Sequence, residues 1–315
     1  MLKSKYRFNG DHTSLLIIGL FAVGGTLKLI LDPNSFKSSS QENKIIFGLL
    51  VAGIAFLYCL YMVLKVPRIF ISQNSIILTS VFKTKKIFWN DIQSITLTGK
   101  TNRGILMNPA ETVILNLKNN SKVLLWIEYY SNQQEIRLAL EKINESLTNN
   151  QLPTEITQFT QKKYESIPDI KITDFFEKYS GNPHTSFRGL LFYLFLAGMI
   201  AIALSGNHKP LVSLILLIPV TAVYFGLGFQ LHYFLLSDKY LVIKNHFWVW
   251  RKHTYYIDDI REIIFERPYR RSNTLRIITK EFKDKSYPAG SLSKKTWNDL
   301  ISRLQSLKIS IRKEF

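Results

Sequence analysis

The feature that most constrains the fold of this chain is a repetition. Each half opens with a pair of apolar stretches, residues 15–31 and 45–64 in the first half and 189–205 and 211–229 in the second. Each pair runs on into short β-rich segments and then into a segment with helical apolar spacing. About 20 residues at 1.5 Å each cross the roughly 30 Å of hydrocarbon in a bilayer. The stretches therefore predict four transmembrane helices in two hairpins, an α+β membrane protein. Their near-total lack of charge agrees, because a central Lys, Arg or Asp costs about 2.5 to 3.5 kcal/mol on insertion scales.

Lys28 is the one cation within the first stretch and reads as a snorkelling lysine. Pro219 reads as a tolerated kink in the fourth. The first stretch is too long for a cleavable signal peptide and has no small-residue cleavage pattern. Basic residues flank the paired stretches on one side: Lys3, Lys5 and Arg7 before the first, Lys65 and Arg68 after the second, Arg188 before the third, Lys239 and Lys244 after the fourth. The positive-inside rule then predicts a multi-pass protein of the cytoplasmic (inner) membrane with both termini in the cytoplasm. The single cysteine, Cys59, excludes a disulfide framework and a cysteine metal site.

The domain reading follows: a hairpin over 1–66, a β domain over 67–148, a linker over 149–186, a second hairpin over 187–230 and a second β domain over 231–315. Net charge is +18 and is unevenly spread, with 18 basic against 9 acidic residues from 231 onward and 11 against 6 over 65–150. The excess thus belongs to the β segments and favours anionic partners.

Within those segments the order of residues recurs. Arg68-Ile-Phe-Ile-Ser72 and Tyr233-Phe-Leu-Leu-Ser237 precede Ile76–Phe82 and Tyr240–Ile243 as predicted strands. Trp89-Asn-Asp91-Ile92-Gln-Ser-Ile95 then matches Ile257-Asp-Asp259-Ile260-Arg-Glu-Ile263, with three extra residues in the second hairpin. Thr112–Leu117 and Lys122–Ile127 form a hairpin across Asn119-Asn120, and Leu275–Thr279 is its partner in the second half. Ile136, Leu140, Ile143 and Leu147 form one face of a closing helix capped by Ser131 with Gln134. Trp297, Leu300, Ile301 and Leu304 form the face of its counterpart, capped by Ser293.

With these motifs the chain resembles the bacterial pleckstrin-homology-like domain membrane proteins, as a tandem repeat of a two-span hairpin and a PH-like domain. The resemblance covers about residues 12–147 and 187–310 and implies small β barrels or sandwiches, each closed by a C-terminal helix. Apart from the resemblance, no residues converge into an acid, base or nucleophile set, so an enzyme is the least supported reading and no cofactor is expected.

Two basic clusters are candidate contacts for anionic lipid or phosphate. Lys83, Lys85 and Lys86 form a turn between predicted strands, where an ammonium near an anionic surface is worth about 1 kcal/mol. Arg267, Arg270, Arg271 and Arg276 surround Tyr269, and guanidinium forks suit phosphate bidentately. Solvated positive charge is the plain alternative for both. Asp91 and Asp259 read as turn residues bonding backbone amides, not as catalytic carboxylates. The six histidines form no i, i+4 pair and no metal signature. The linker reads as a surface connection with a short helix near 172–179, laid on a membrane or packed on a β domain.

The expected function is a non-enzymatic one: PH-like domains recruiting or scaffolding an unknown protein partner at the inner leaflet, with anionic membrane lipids as a further ligand. The alternative is a subunit of a transport or lipid-handling complex whose spans are the working part. Nucleic acid is set aside because both domains are expected to be tethered to a membrane.

Overall fold

The computed structural model describes residues 1–7, 23–24, 46–54, 56–57, 66–101, 109–149, 176–204, 226–267 and 272–314. The chain divides into two units, Met1–Gln161 and Lys162–Phe315.

In the first unit, β1 (Leu2–Lys3), β2 (Arg68–Ile71), β3 (Ser75–Thr79) and β4 (Thr84–Phe88) form an antiparallel sheet in chain order. Alternation sets its buried face: Ile69, Ile71 and Ile76 are fully buried and Leu78 and Ile87 nearly so. A single 3-10 turn, Trp89–Asp91, breaks the chain before β5 (Ile92–Thr96). β6 (Lys100–Thr101), β7 (Ala110–Leu117) and β8 (Lys122–Trp126) complete a second sheet. In that sheet β5 and β6 pair with opposite ends of β7, and β8 also pairs with β7. The helix α1 (Gln133–Thr148) follows, burying Ile136, Leu140 and Ile143.

The second unit repeats this order. β9 (Glu177–Tyr179) is followed by the helix α2 (Phe187–Leu204), then by β10 (His232–Leu236), β11 (Tyr240–Asn245) and β12 (Lys252–Tyr256). β9 pairs antiparallel with β10, as β1 does with β2. After the 3-10 turn Ile257–Asp259 come β13 (Ile260–Glu266), β14 (Thr274–Thr279), β15 (Asp284–Pro288) and the helix α3 (Lys294–Ser306). β16 (Ser310–Glu314) then adds parallel to β13 and has no counterpart among the described residues of the first unit. One apolar core joins both sheets to α3: Phe234, Ile243, Ile263, Phe265, Ile277, Trp297 and Leu304 all belong to it.

Backbone bonds fix the correspondence between the units. Ser72 N–H donates to the Ser75 carbonyl at 2.9 Å and Ser237 N–H to the Tyr240 carbonyl at 2.9 Å. Lys118 N–H donates to the Asp91 carbonyl at 2.9 Å and Lys280 N–H to the Asp259 carbonyl at 2.8 Å. The two aspartates were expected to hold backbone amides with their side chains; the recurring bonds use their carbonyls, and neither 3-10 turn has a side-chain cap. Turns of one kind follow β7 and β14, with Asn120 at φ 62° and Phe282 at φ 58° in the left-handed region.

The membrane architecture is corrected. Among the described residues no helix is long and apolar enough to cross a membrane. α2 is the longest described helix on the predicted stretches, 18 residues with Arg188 second in it. What the described residues build is four four-stranded sheets with few helices. The four-transmembrane-helix class and the multi-pass inner-membrane placement with cytoplasmic termini are therefore withdrawn, and with them the alternative whose working part was the spans. Residues 23–24, 46–54, 56–57 and 226–228 are helical. The readings on Lys28, Cys59 and Pro219 lie outside the described residues.

Two local readings also change. The N-cap of α1 is Asn132, not Ser131, and it makes no side-chain capping bond. Its side chain is engaged instead with the chain's start: Oδ1 accepts from Lys5 N–H at 2.8 Å and Nδ2 donates to the Lys3 carbonyl at 2.9 Å. At the end of the linker, residues 177–179 are a strand, not a helix, and Tyr179 is buried in the core of the second unit. Gly181, two residues on, lies so close to the Ser291 carbonyl that a Cβ would stand 1.7 Å from its oxygen. The cap on α3 does form, with Ser293 Oγ accepting from Thr296 N–H at 3.1 Å.

Candidate functional site

The turn between β3 and β4 puts two apolar side chains in water beside a basic strand. Ser80 Oγ and N–H both donate to the Lys83 carbonyl at 2.9 Å, closing the turn. At its tip Val81 is 61% and Phe82 84% exposed. Lys83, Lys85 and Lys86 follow, all exposed, and the Lys86 ammonium lies 4.7 Å from the centroid of the half-exposed Phe88 ring. The predicted lysine cluster is thus a surface feature that includes apolar residues the sequence reading had assigned to a strand.

The second unit repeats it at the equivalent turn, between β11 and β12. Arg251 N–H donates to the Trp248 carbonyl at 2.8 Å, and the two residues between, Val249 and Trp250, are 72% and 69% exposed. Arg251 is exposed with its guanidinium 4.2 Å from the Trp248 ring, and Lys252 follows. Val81-Phe82-Lys83 and Val249-Trp250-Arg251 are one arrangement occurring twice: valine, aromatic, cation. The signal was legible in the sequence as an apolar pair on a hairpin tip, where turn residues are ordinarily polar.

Behind the second tip lies a row of buried and half-buried titratable groups. His232 and His253 both pack on the Tyr287 ring, at 5.5 and 5.6 Å, and Tyr287 and Tyr255 share a hydroxyl bond of 2.5 Å. Lys285 Nζ stands 3.1 Å from His253 Nε2. Burial holds His253 and Lys285 below their ordinary values, and the Arg251 charge adds to the effect on each. Burial raises both tyrosines. Burial thus works against charge throughout the row.

The arginine cluster divides. Arg276 is buried within β14 and paired: its Nε donates to Asp284 Oδ1 at 2.6 Å and its Nη2 to Oδ2. It is a cross-strand ion pair, not a free phosphate contact. Arg270 and Arg271 lie outside the described residues. Arg267 follows β13 and lines a cavity of about 350 Å³ together with Lys294 and Trp297. Among the described residues no group of three or more His, Cys, Asp or Glu could hold a metal ion.

A family model described as "Family of unknown function (DUF6585)" matches residues 4–165, just over half of the 315. No curated protein matches the chain.

Proposed function

The chain belongs to the DUF6585 family, a family of unknown function, and on that premise we propose that it is a non-enzymatic binding protein whose two PH-like β units engage anionic lipid headgroups through their hairpin tips. The observation that carries the reading is the repeated tip, with Val81 and Phe82 exposed ahead of Lys83 and Val249 and Trp250 exposed ahead of Arg251. An apolar point with a basic rim has the chemistry of a lipid interface: the ring and valine enter the headgroup boundary while the cations stay among the phosphates. Nucleic acid also attracts cations and aromatics, but the exposed valines have no flat face on which a base could stack. This engagement lies on a surface and requires no helix that crosses it.

Three lysines at about 1 kcal/mol each supply only about 3 kcal/mol, which is marginal alone. Binding is then weak, steeply salt-dependent and reliant on the apolar tip. The test is co-sedimentation of the full chain with phosphatidylcholine vesicles, with and without phosphatidylserine, at rising salt. The difference between the two vesicle types is expected to vanish at high salt and in Phe82→Ser/Trp250→Ser, and to shrink in Lys83→Gln/Lys85→Gln/Lys86→Gln. Equal sedimentation with both vesicles, or variants that bind like the parent, would overturn the reading and leave protein recruitment by the same units in its place.

A further inference from the structure

The cavity of about 350 Å³ in the second unit falls in a place that the first unit fills with its own side chains. The register is fixed by paired bonds. Thr112 Oγ1 donates to the Ala110 carbonyl and Thr274 Oγ1 to the Ser272 carbonyl, both at 2.9 Å, so Glu111 corresponds to Asn273. Asn132 and Ser293 are the two N-caps, so Arg137 corresponds to Asn298 and Ile136 to Trp297. In the first unit Arg137 Nη2 donates to Glu111 Oε2 at 2.9 Å, with side chains 0% and 2% exposed. In the second unit the corresponding residues are neutral amides that line open space.

The charge left behind is positive. Arg267 and Lys294 line the cavity, while the carboxylate at the position of Glu111 is gone. A second carboxylate is missing too: the first turn of α1 carries Glu135, whereas the first turn of α3 carries no acid. That turn is the positive end of the helix dipole. Trp297, in the wall, is 5% exposed, and its indole N–H is buried without a hydrogen-bond partner.

We propose that this cavity binds a small organic monocarboxylate, whose carboxylate takes the part that Glu111 plays in the first unit, against Arg267 and Lys294, and whose apolar body rests on Trp297, Phe265 and Ile301. Glu266, 7% exposed, also lines the cavity. Among the described lining residues two cations and one anion leave a single positive charge, which favours a monoanion over a dianion. The volume lies at the small end of the roughly 300 to 1,000 Å³ of ligand pockets and sets the size at one ring or a short chain. The site is independent of the hairpin tips.

The experiment titrates the full chain, labelled with ¹⁵N at its tryptophan indoles, with benzoate and with neutral benzyl alcohol. The chain has five tryptophans, and Trp297→Phe identifies the resonance in question. Benzoate, but not benzyl alcohol, is expected to shift that resonance saturably with a Kd at or below about 1 mM. Arg267→Gln and Lys294→Gln are each expected to weaken it about tenfold. Asn273→Glu/Asn298→Arg, which installs the ion pair of the first unit, is expected to abolish the shift in a protein that melts no lower than the parent. No saturable shift with benzoate, an equal shift with benzyl alcohol, or a shift that survives in a folded double variant would each overturn the proposal. Should the double variant fail to fold, unchanged benzoate affinity in Arg267→Gln overturns it alone.

Discussion

Arg137 and Glu111 form a buried ion pair between α1 and the start of β7, 2.9 Å apart and shut off from solvent. Removing either partner strands the other charge in the interior, which typically costs 3–5 kcal/mol. Against a total of roughly 5–15 kcal/mol for a domain, that is enough to unfold a marginal one. Glu111→Gln is therefore expected to destabilise the first unit by about 3 kcal/mol or more. Arg137→Met/Glu111→Leu, which removes both charges, is expected to recover most of the loss. Urea denaturation of the three proteins measures this; a single variant as stable as the parent would mean that the pair is hydrated in solution.

Asn132 ties residues 2–5 to the body of the first unit, with bonds to Lys5 and Lys3 from a side chain 6% exposed. Ser4 adds a third tie, its Oγ accepting from Ile69 N–H at 2.8 Å. Losing two buried bonds at one residue costs about 1–3 kcal/mol. Asn132→Ala is expected to release β1 first, seen as faster amide exchange at Lys3 and Lys5 while α1 stays protected. Exchange rising equally along α1 would show that Asn132 acts on the helix instead.

His232 makes the second unit acid-sensitive. Its Nδ1 lies 2.8 Å from the Pro288 carbonyl, and since a carbonyl only accepts, Nδ1 carries the proton of the neutral ring. Burial pushes its pKa from 6.5 down to about 4, and burial does the same to His246. Above pH 6.5 both states are neutral and nothing is lost. Between 6.5 and 4 the unfolded chain takes up protons that the folded one does not, so stability falls as pH falls, and the loss levels off below about 4. For His232 the full loss is about 3 kcal/mol. His232→Asn is expected to flatten much of this slope in melting temperatures measured from pH 7 to 4; an unchanged slope would assign the acid sensitivity to other groups.

The strands at Ile69, Ile76, Val113 and Leu275 were legible because their alternating or continuous apolar runs have a local period. β1 and β9 were not, since strands of two and three residues have no period and exist only through partners such as Ile71 and Phe234, which lie more than fifty residues away. The lysines at the β3–β4 turn stood out as charge, whereas the matching tip at Val249-Trp250 showed only as an apolar pair on a turn, for its single exposed arginine forms no cluster. Arg276 shows the converse: the sequence displays its charge, while its pairing with Asp284 depends on the register of β14 with β15.

By itself the sequence determined the twofold order of β segments and closing helices, since strand alternation and helical stripes are properties of neighbours along the chain. Only the tertiary structure decided where each half begins, which aromatics stand in water, and that Arg137 and Glu111 fill, within the first unit, a place whose counterpart in the second unit is open and lined by Asn273 and Asn298. Those outcomes turn on burial and on pairings between distant residues, where the free energy of a charge depends on what surrounds it and not on its own identity.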